Sequence, residues 1–209
     1  MSNSYKYEDP DYTYTDPNTG ILRNIVDISD PEILLFVESS AVTKRMQELY
    51  ENPLKIKGVA SLFVIHKHLF QDIYEWAGQK RYVEISKDGK QFFSTSHFEN
   101  AFRFIDTLIL EFKKIKKNHK KEVAVKLAEI LDTVNYLHPF REGNGRTQRE
   151  FLRLLALEKG IVLNLNPPDN KKIYEQYMQG TINSDINTLT KLISELIEKK
   201  NRIITIFVQ

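Results

Sequence analysis

The chain has 209 residues, 41% hydrophobic and 28% charged, a length that fills one well-buried core and falls short of two comfortable domains. Its net charge of +2 is too small to imply a nucleic-acid partner, and the absence of cysteine excludes disulfides, thiolate metal sites and a cysteine nucleophile. No apolar run of about 18 residues occurs, and "MSNSYKYEDPDYTYTDPNTG" lacks the apolar centre of a signal peptide, so a cytoplasmic protein without membrane contact is expected.

Residues 1–28, rich in tyrosine and broken by Pro10, Pro17 and Gly20, read as a non-helical arm lying on the body. Ser29 or Asp30 caps a helix whose first turn holds Pro31 and which runs to about Tyr50. A second, from about Lys57, lines up Val59, Leu62, Phe63, His66, Leu69, Phe70 and Ile73 and stops near "WAG". His66, on that apolar face, reads as a satisfied core histidine. Residues 81–93, centred on Asp88-Gly89, carry the signal of a β-hairpin.

Helix resumes with Ser96 and Glu99 spaced as a capping box and Phe102, Ile105, Leu108, Ile109 and Phe112 as its buried stripe. The lysine run "KKIKKNHKK" ends it and reads as a solvated helix end, with no direct nucleic-acid contact. From Lys121 to Leu137 a helix turns Ala124, Leu127, Ala128, Leu131 and Val134 inward, which leaves His138 at the edge of its buried face before Pro139 breaks it. Another opens within "GNGRTQRE" and runs to about Lys159, capped by Gly160. Two more, near 170–180 and 185–200, complete a mainly α single domain with one small hairpin, leaving the apolar tail "IITIFVQ" unplaced.

The chemistry concentrates in "HPFREGNGRTQRE", residues 138–150. A helix that begins just after Gly143-Asn144-Gly145 offers unpaired N–H groups and a positive dipole end, and the glycines allow an anion to approach the backbone. Arg146, Arg149 and Arg153 share one face of that helix, the first two within reach of phosphate oxygens. Glu142, at the same lip, suits phosphate only if Mg²⁺ bridges carboxylate and phosphates. His138 can accept a proton near pH 7. Singly, the glycines make an ordinary turn and the arginines a solvated face; together the residues imply a Mg-nucleotide site for transfer chemistry.

"HPFREGNGRTQR" resembles the signature of the Fic family, His-x-Phe-x-Asp/Glu-Gly-Asn-Gly-Arg-x-x-Arg, at every fixed position. "YTDPNTGILRN" is similar to the N-terminal arm of Fic toxins, "IHKHLFQDIYEWAGQKRYVEISKDG" to their helix and flap hairpin, and "REFLRLLALEKG" to the helix after the signature. The resemblance implies a helical core with a β-hairpin flap and transfer of AMP from ATP to a hydroxyl of a target protein. His138 would take the proton of that hydroxyl, and Glu142 would hold Mg²⁺. Asn144 with the Gly143 and Gly145 amides would position the phosphates, and Arg146 and Arg149 would bind the outer ones. Phe140 would anchor the loop in the core, and the flap would align an extended target segment along its edge.

Relatives of this family also transfer UMP, phosphocholine or, in Doc-like kinases, the terminal phosphate; those kinases replace the glycines, and Gly143 and Gly145 are both present. A non-catalytic nucleotide-binding module is the third alternative, against which His138 and Glu142 stand. Resemblance to the toxins implies a type II DNA topoisomerase subunit as target. It also implies inhibition by a helix of pattern Ser/Thr-x-x-x-Glu-Gly/Asn, whose glutamate pairs with Arg149. "TSHFEN", with Glu99, matches that pattern and "SELIEK", with Glu198, matches in part, but the expected inhibitor is a separate small antitoxin protein.

Overall fold

Asp30 starts the first helix: its carboxylate accepts the N–H groups of Glu32 at 2.9 Å and Ile33 at 3.0 Å, and Pro31 supplies a preset φ, so α1 runs Pro31–Glu51. The computed structural model describes residues 5–7, 9, 11–87 and 89–206, with side chains described for residues 9, 11–87 and 89–198. The remaining helices are α2 (Ala60–Phe70), α3 (Phe98–Lys114), α4 (Lys120–Leu137), α5 (Asn144–Leu157), α6 (Lys171–Asn183) and α7 (Ile186–Ile206). Among the described residues these seven helices share one apolar core. α4 lies at its centre, packed on α3, α5, α6 and α7, while α5 also packs on α2, and α2 on α1. The tail left open in the sequence continues α7 as far as Ile206; residues 207–209 lie outside the described residues.

The hairpin is shorter than its sequence span suggests, with strands β2 (Ile85–Lys87) and β3 (Lys90–Gln91). Gly89 takes the left-handed conformation that the turn requires (φ +80°); Asp88 lies outside the described residues. The arm is non-helical and lies on the body as expected: Ile25 N–H donates to Ile73 O at 2.9 Å, and buried Tyr14 meets the Trp76 ring edge-on at 5.6 Å. The arm also contributes a strand, β1 (Tyr5–Tyr7), antiparallel to β2 with Tyr5 opposite Lys87, so the sheet order is β1-β2-β3 and β3 forms the edge beside the cleft.

The capping box expected at Ser96 and Glu99 does not form. A 3-10 turn at Thr95–His97 precedes α3, whose N-terminus has no side-chain cap. The Glu84 carboxylate accepts the Thr95 N–H at 2.9 Å and the Thr95 hydroxyl at 2.7 Å, so the chain entering α3 is held from the flap. Ser96 hydrogen-bonds Ser94 and His97, and Glu99 pairs with Lys80 at 3.4 Å. No helix among the described residues is long and apolar enough to cross a membrane.

Candidate active site

α4 ends where Pro139 cannot continue it, and His138 closes the helix in the left-handed region (φ 44°), its N–H donating to Val134 O at 3.2 Å. The chain then crosses residues 139–142 to Gly143, also left-handed (φ 79°), and α5 begins at Asn144 with no side-chain cap. The first N–H groups of α5 are thus left for an anion. A Cβ built on Gly143 would lie 2.3 Å from Cζ of Phe70, so this glycine serves packing as well as turn geometry; Gly145 lines the cleft.

The loop is pinned from three sides. Phe140 is fully buried, stacked on His66 at 3.8 Å and edge-on to Phe63 at 5.2 Å, which makes it the anchor that the resemblance implied. The Asn144 carboxamide, expected at the phosphates, instead brackets Phe140: Oδ1 accepts the Phe140 N–H at 2.9 Å and Nδ2 donates to Phe140 O at 2.7 Å. His66 accepts the Gly78 N–H on Nδ1 at 2.8 Å and contacts Glu142 O through Nε2 at 3.0 Å, a pairing that places its proton on Nε2. Burial pushes its pKa down to about 3, so this core histidine stays neutral and staples the loop to α2.

The His138 imidazole stacks on Phe92 of the flap at 3.8 Å and 18°, and is 7% exposed. Its Nδ1 lies 3.3 Å from Asn135 O, a pure acceptor, which assigns the proton to Nδ1 and leaves the lone pair on Nε2. Burial, helped by the positive charges of Arg81 and Lys87, lowers its pKa to about 3. At neutral pH the group is an uncharged acceptor.

His138, Gly145 and Arg149 open on one cleft of about 400 Å³, roofed by Lys87, Lys90 and Phe92 of the flap and walled by Tyr174, Tyr177 and Met178 of α6. The Arg149 guanidinium lies 5.5 Å from the ring centroids of both tyrosines. Arg146, expected beside it, is drawn elsewhere: Nη1 pairs with the buried Glu38 of α1 at 2.5 Å, and the guanidinium covers Phe70 at 4.7 Å. The Tyr74 hydroxyl donates to the other oxygen of Glu38, its own ionisation suppressed by burial and by that carboxylate. Arg153 is tied to Glu150, Leu49 O and the face of Tyr50.

Glu142 is partly exposed; its Oε1 accepts the Gly143 N–H at 2.8 Å and lies 3.6 Å from Arg146 Nη2. Among the described residues no group of three or more histidines and acids could hold a metal by itself, and the one carboxylate that residues 138–143 offer is Glu142. A single carboxylate suits Mg²⁺ brought in on phosphate oxygens rather than a resident ion. Sequence reasoning missed Glu38, Tyr74, Arg81 and Phe92 because each meets the loop only through tertiary packing, and no local pattern in one sequence marks them.

Residues 57–156 match the model of the Fic/DOC family. The chain is 38% identical over 183 residues to the protein adenylyltransferase VbhT of Bartonella schoenbuchensis, a match that covers 87% of this chain and 38% of that longer protein. To the probable protein adenylyltransferase y4lH of Sinorhizobium fredii it is 31% identical over 182 residues, covering 86% of this chain and 91% of the relative. The type IV secretion system effector protein BepA superposes with a TM-score of 0.77 at 27% identity, over 93% of this chain and 72% of that one. The BepC protein of Bartonella tribocorum, crystallised with AMPPNP, superposes with a TM-score of 0.75 over 88% of this chain and 96% of that one; at 21% identity it speaks for the fold alone. The matched span contains the whole His138 loop and its α2 support, and together with 31% identity over 91% of the Sinorhizobium protein it establishes that the chain belongs to the Fic/DOC family.

Proposed function

We propose that the chain is a protein adenylyltransferase that moves AMP from ATP to a hydroxyl side chain of a target protein. The observation that carries this reading is one cleft that brings together a neutral imidazole, the uncapped start of α5 and the Arg149 guanidinium. Curated relatives named as protein adenylyltransferases support AMP as the transferred group.

The triphosphate lies at the start of α5, its charge met by main-chain N–H groups and by Arg149. Nε2 of His138 takes the target's hydroxyl proton as the oxygen attacks the α-phosphorus; the P–O bond to the β-phosphate breaks, pyrophosphate leaves, and AMP remains on the target. Mg²⁺, when bound, neutralises phosphate charge, and Glu142 is the residue that would hold it. A pKa of about 3 makes His138 a weak base while Phe92 covers it. A target that displaces the phenyl ring admits hydrogen-bonding partners and strengthens the base at the moment of use. Because β1 occupies one side of β2, the edge open to an extended target segment is that of β3, where Lys90 and Gln91 are exposed.

The inhibitor is proposed as a separate protein. Among the described residues no carboxylate is paired with Arg149: Glu99 pairs with Lys80, and Glu198 is exposed on α7. The test supplies ATP labelled on either the α or the γ phosphate to a lysate with the wild type or His138→Ala. Label from the α position must reach a protein band with the wild type, and His138→Ala must lose about a hundredfold or more in rate while its ATP affinity holds. Transfer of γ label alone would make the chain a kinase, and an active alanine variant would remove His138 from its role.

A further inference from the structure

The Arg81 side chain is fully buried, yet it lines no part of the nucleotide cleft. Its Nε donates to His138 O at 2.8 Å, Nη1 to Val83 O at 2.6 Å and Nη2 to Phe93 O at 2.6 Å, and the guanidinium lies 5.0 Å from the Phe98 ring centroid. Its own N–H donates to Pro139 O at 2.7 Å. Val83 precedes β2 and Phe93 follows β3, so one planar fork spans both legs of the flap and the carbonyl of the candidate base.

Burying a cation for stability alone is a poor solution, since an apolar side chain of similar volume serves a core as well or better. What the guanidinium adds is direction: its rigid fork holds three carbonyls from separate segments in one frame. Two of them bear on the imidazole. The His138 carbonyl belongs to a residue in the left-handed region, a conformation that a non-glycine residue keeps only when its surroundings hold it. Phe93 follows the residue whose ring stacks on the imidazole, and its N–H is held in turn by Tyr136 O at 3.0 Å. Glu84 balances the charge at 3.4 Å and, through Ser94 and Thr95, fixes the exit of the flap.

We propose that Arg81 is a positioning residue for the transfer step, holding the flap root and the His138 backbone in register so that a hydroxyl presented from the β3 edge meets Nε2. The proposal rests on His138 being the base. It predicts a split between turnover and nucleotide binding, because the fork touches the base and the flap but not the α5 end of the cleft.

The test compares wild type, Arg81→Lys, Arg81→Met and His138→Ala for transfer rate, ATP affinity by calorimetry and the proton shifts of the His138 ring, which the face of Phe92 displaces in the wild type. Arg81→Lys keeps the charge but cannot reach three carbonyls at once. It should lower kcat by about tenfold to a hundredfold, leave the ATP Kd within about twofold, and move the His138 ring signals toward those of an unstacked imidazole. Should Arg81→Met fail to fold, Arg81→Lys carries the test alone. Wild-type kcat in Arg81→Lys, unmoved His138 signals, or a Kd that rises in step with the loss of rate would each overturn the proposal. An active His138→Ala would instead sink the assignment of the base, while the ring signals would still report whether Arg81 holds the imidazole.

Discussion

Gly143 and Gly145 sit two residues apart in the same turn, and the structure gives them different reasons to be glycine. At Gly143 the backbone is left-handed (φ +79°), and a methyl group would lie 2.3 Å from Cζ and 2.5 Å from Cε2 of Phe70, a ring fully buried between α2 and the loop. Alanine there costs about 1–2 kcal/mol for the backbone and about 1–3 kcal/mol for overpacking. At about 2–4 °C per kcal/mol for a chain of this size, Gly143→Ala should lower Tm by about 4–20 °C. Gly145 has no positive φ, and its nearest neighbour is Nη1 of Arg149 at 3.3 Å, the mobile end of a long side chain. Gly145→Ala should therefore shift stability by less than about 0.5 kcal/mol while weakening ATP binding, because the new methyl group stands on the cleft wall. Thermal melts and calorimetric titration with ATP on the two single variants decide the matter. Equal melting temperatures, or an unaltered ATP Kd in Gly145→Ala, would refute the division of roles.

Acid should destabilise the protein well above the carboxylate range. His66 and His138 both have folded pKa values near 3, below the ordinary value of 6.5, so as pH falls through 6.5 the unfolded chain binds protons first and stability drops steadily toward pH 3. At pH 5 the loss is up to about 2 kcal/mol for each histidine relative to pH 7, measurable by urea unfolding at the two values, and a flat profile would contradict the burial argument. Glu142→Ala should reduce rate and Mg-ATP affinity together and flatten the Mg²⁺ dependence of transfer; an unchanged dependence in a metal titration would take Glu142 out of the site.

The helices were legible because their stripes are local: α3 and α4 bury the expected residues Ile105, Leu108, Ile109, Phe112, Ala124, Leu127 and Leu131. The entry to α3 was misread because Ser96 and Glu99 fit a local cap, whereas Glu84, eleven residues earlier, reaches across and takes Thr95. At the site, His138, Gly145 and Arg149 could be placed from the spacing of a helix end, a turn and a helix start. Arg146 could not, since periodicity gives its angle on α5 but not the acid waiting on α1, more than a hundred residues away in sequence. The carboxamide of Asn144 could not be placed for a related reason: next to a phosphate cradle it can satisfy either an anion or a loop, and only the fold shows that Phe140 takes both of its ends.

These placements explain why so short a segment carries so many fixed residue types. A loop that must present an imidazole at one end and bare N–H groups at the other has few hydrogen bonds of its own, and must be held from outside if the two are to keep their spacing. Phe140, Asn144 and Gly143 lock the loop to itself and to α2; Arg146 ties it through Glu38 to α1 and keeps a nitrogen 3.6 Å from Glu142. Arg81 does the same for the other end, tying His138 to the flap. Of the thirteen residues of the segment only His138, Gly145, Gln148 and Arg149 line the cleft, and the placement of these four depends on the others. An exchange of Arg146 for lysine would keep the charge but not the two-sided reach from Glu38 to Glu142, so its damage would fall on the orientation of the carboxylate rather than on direct contact with phosphate.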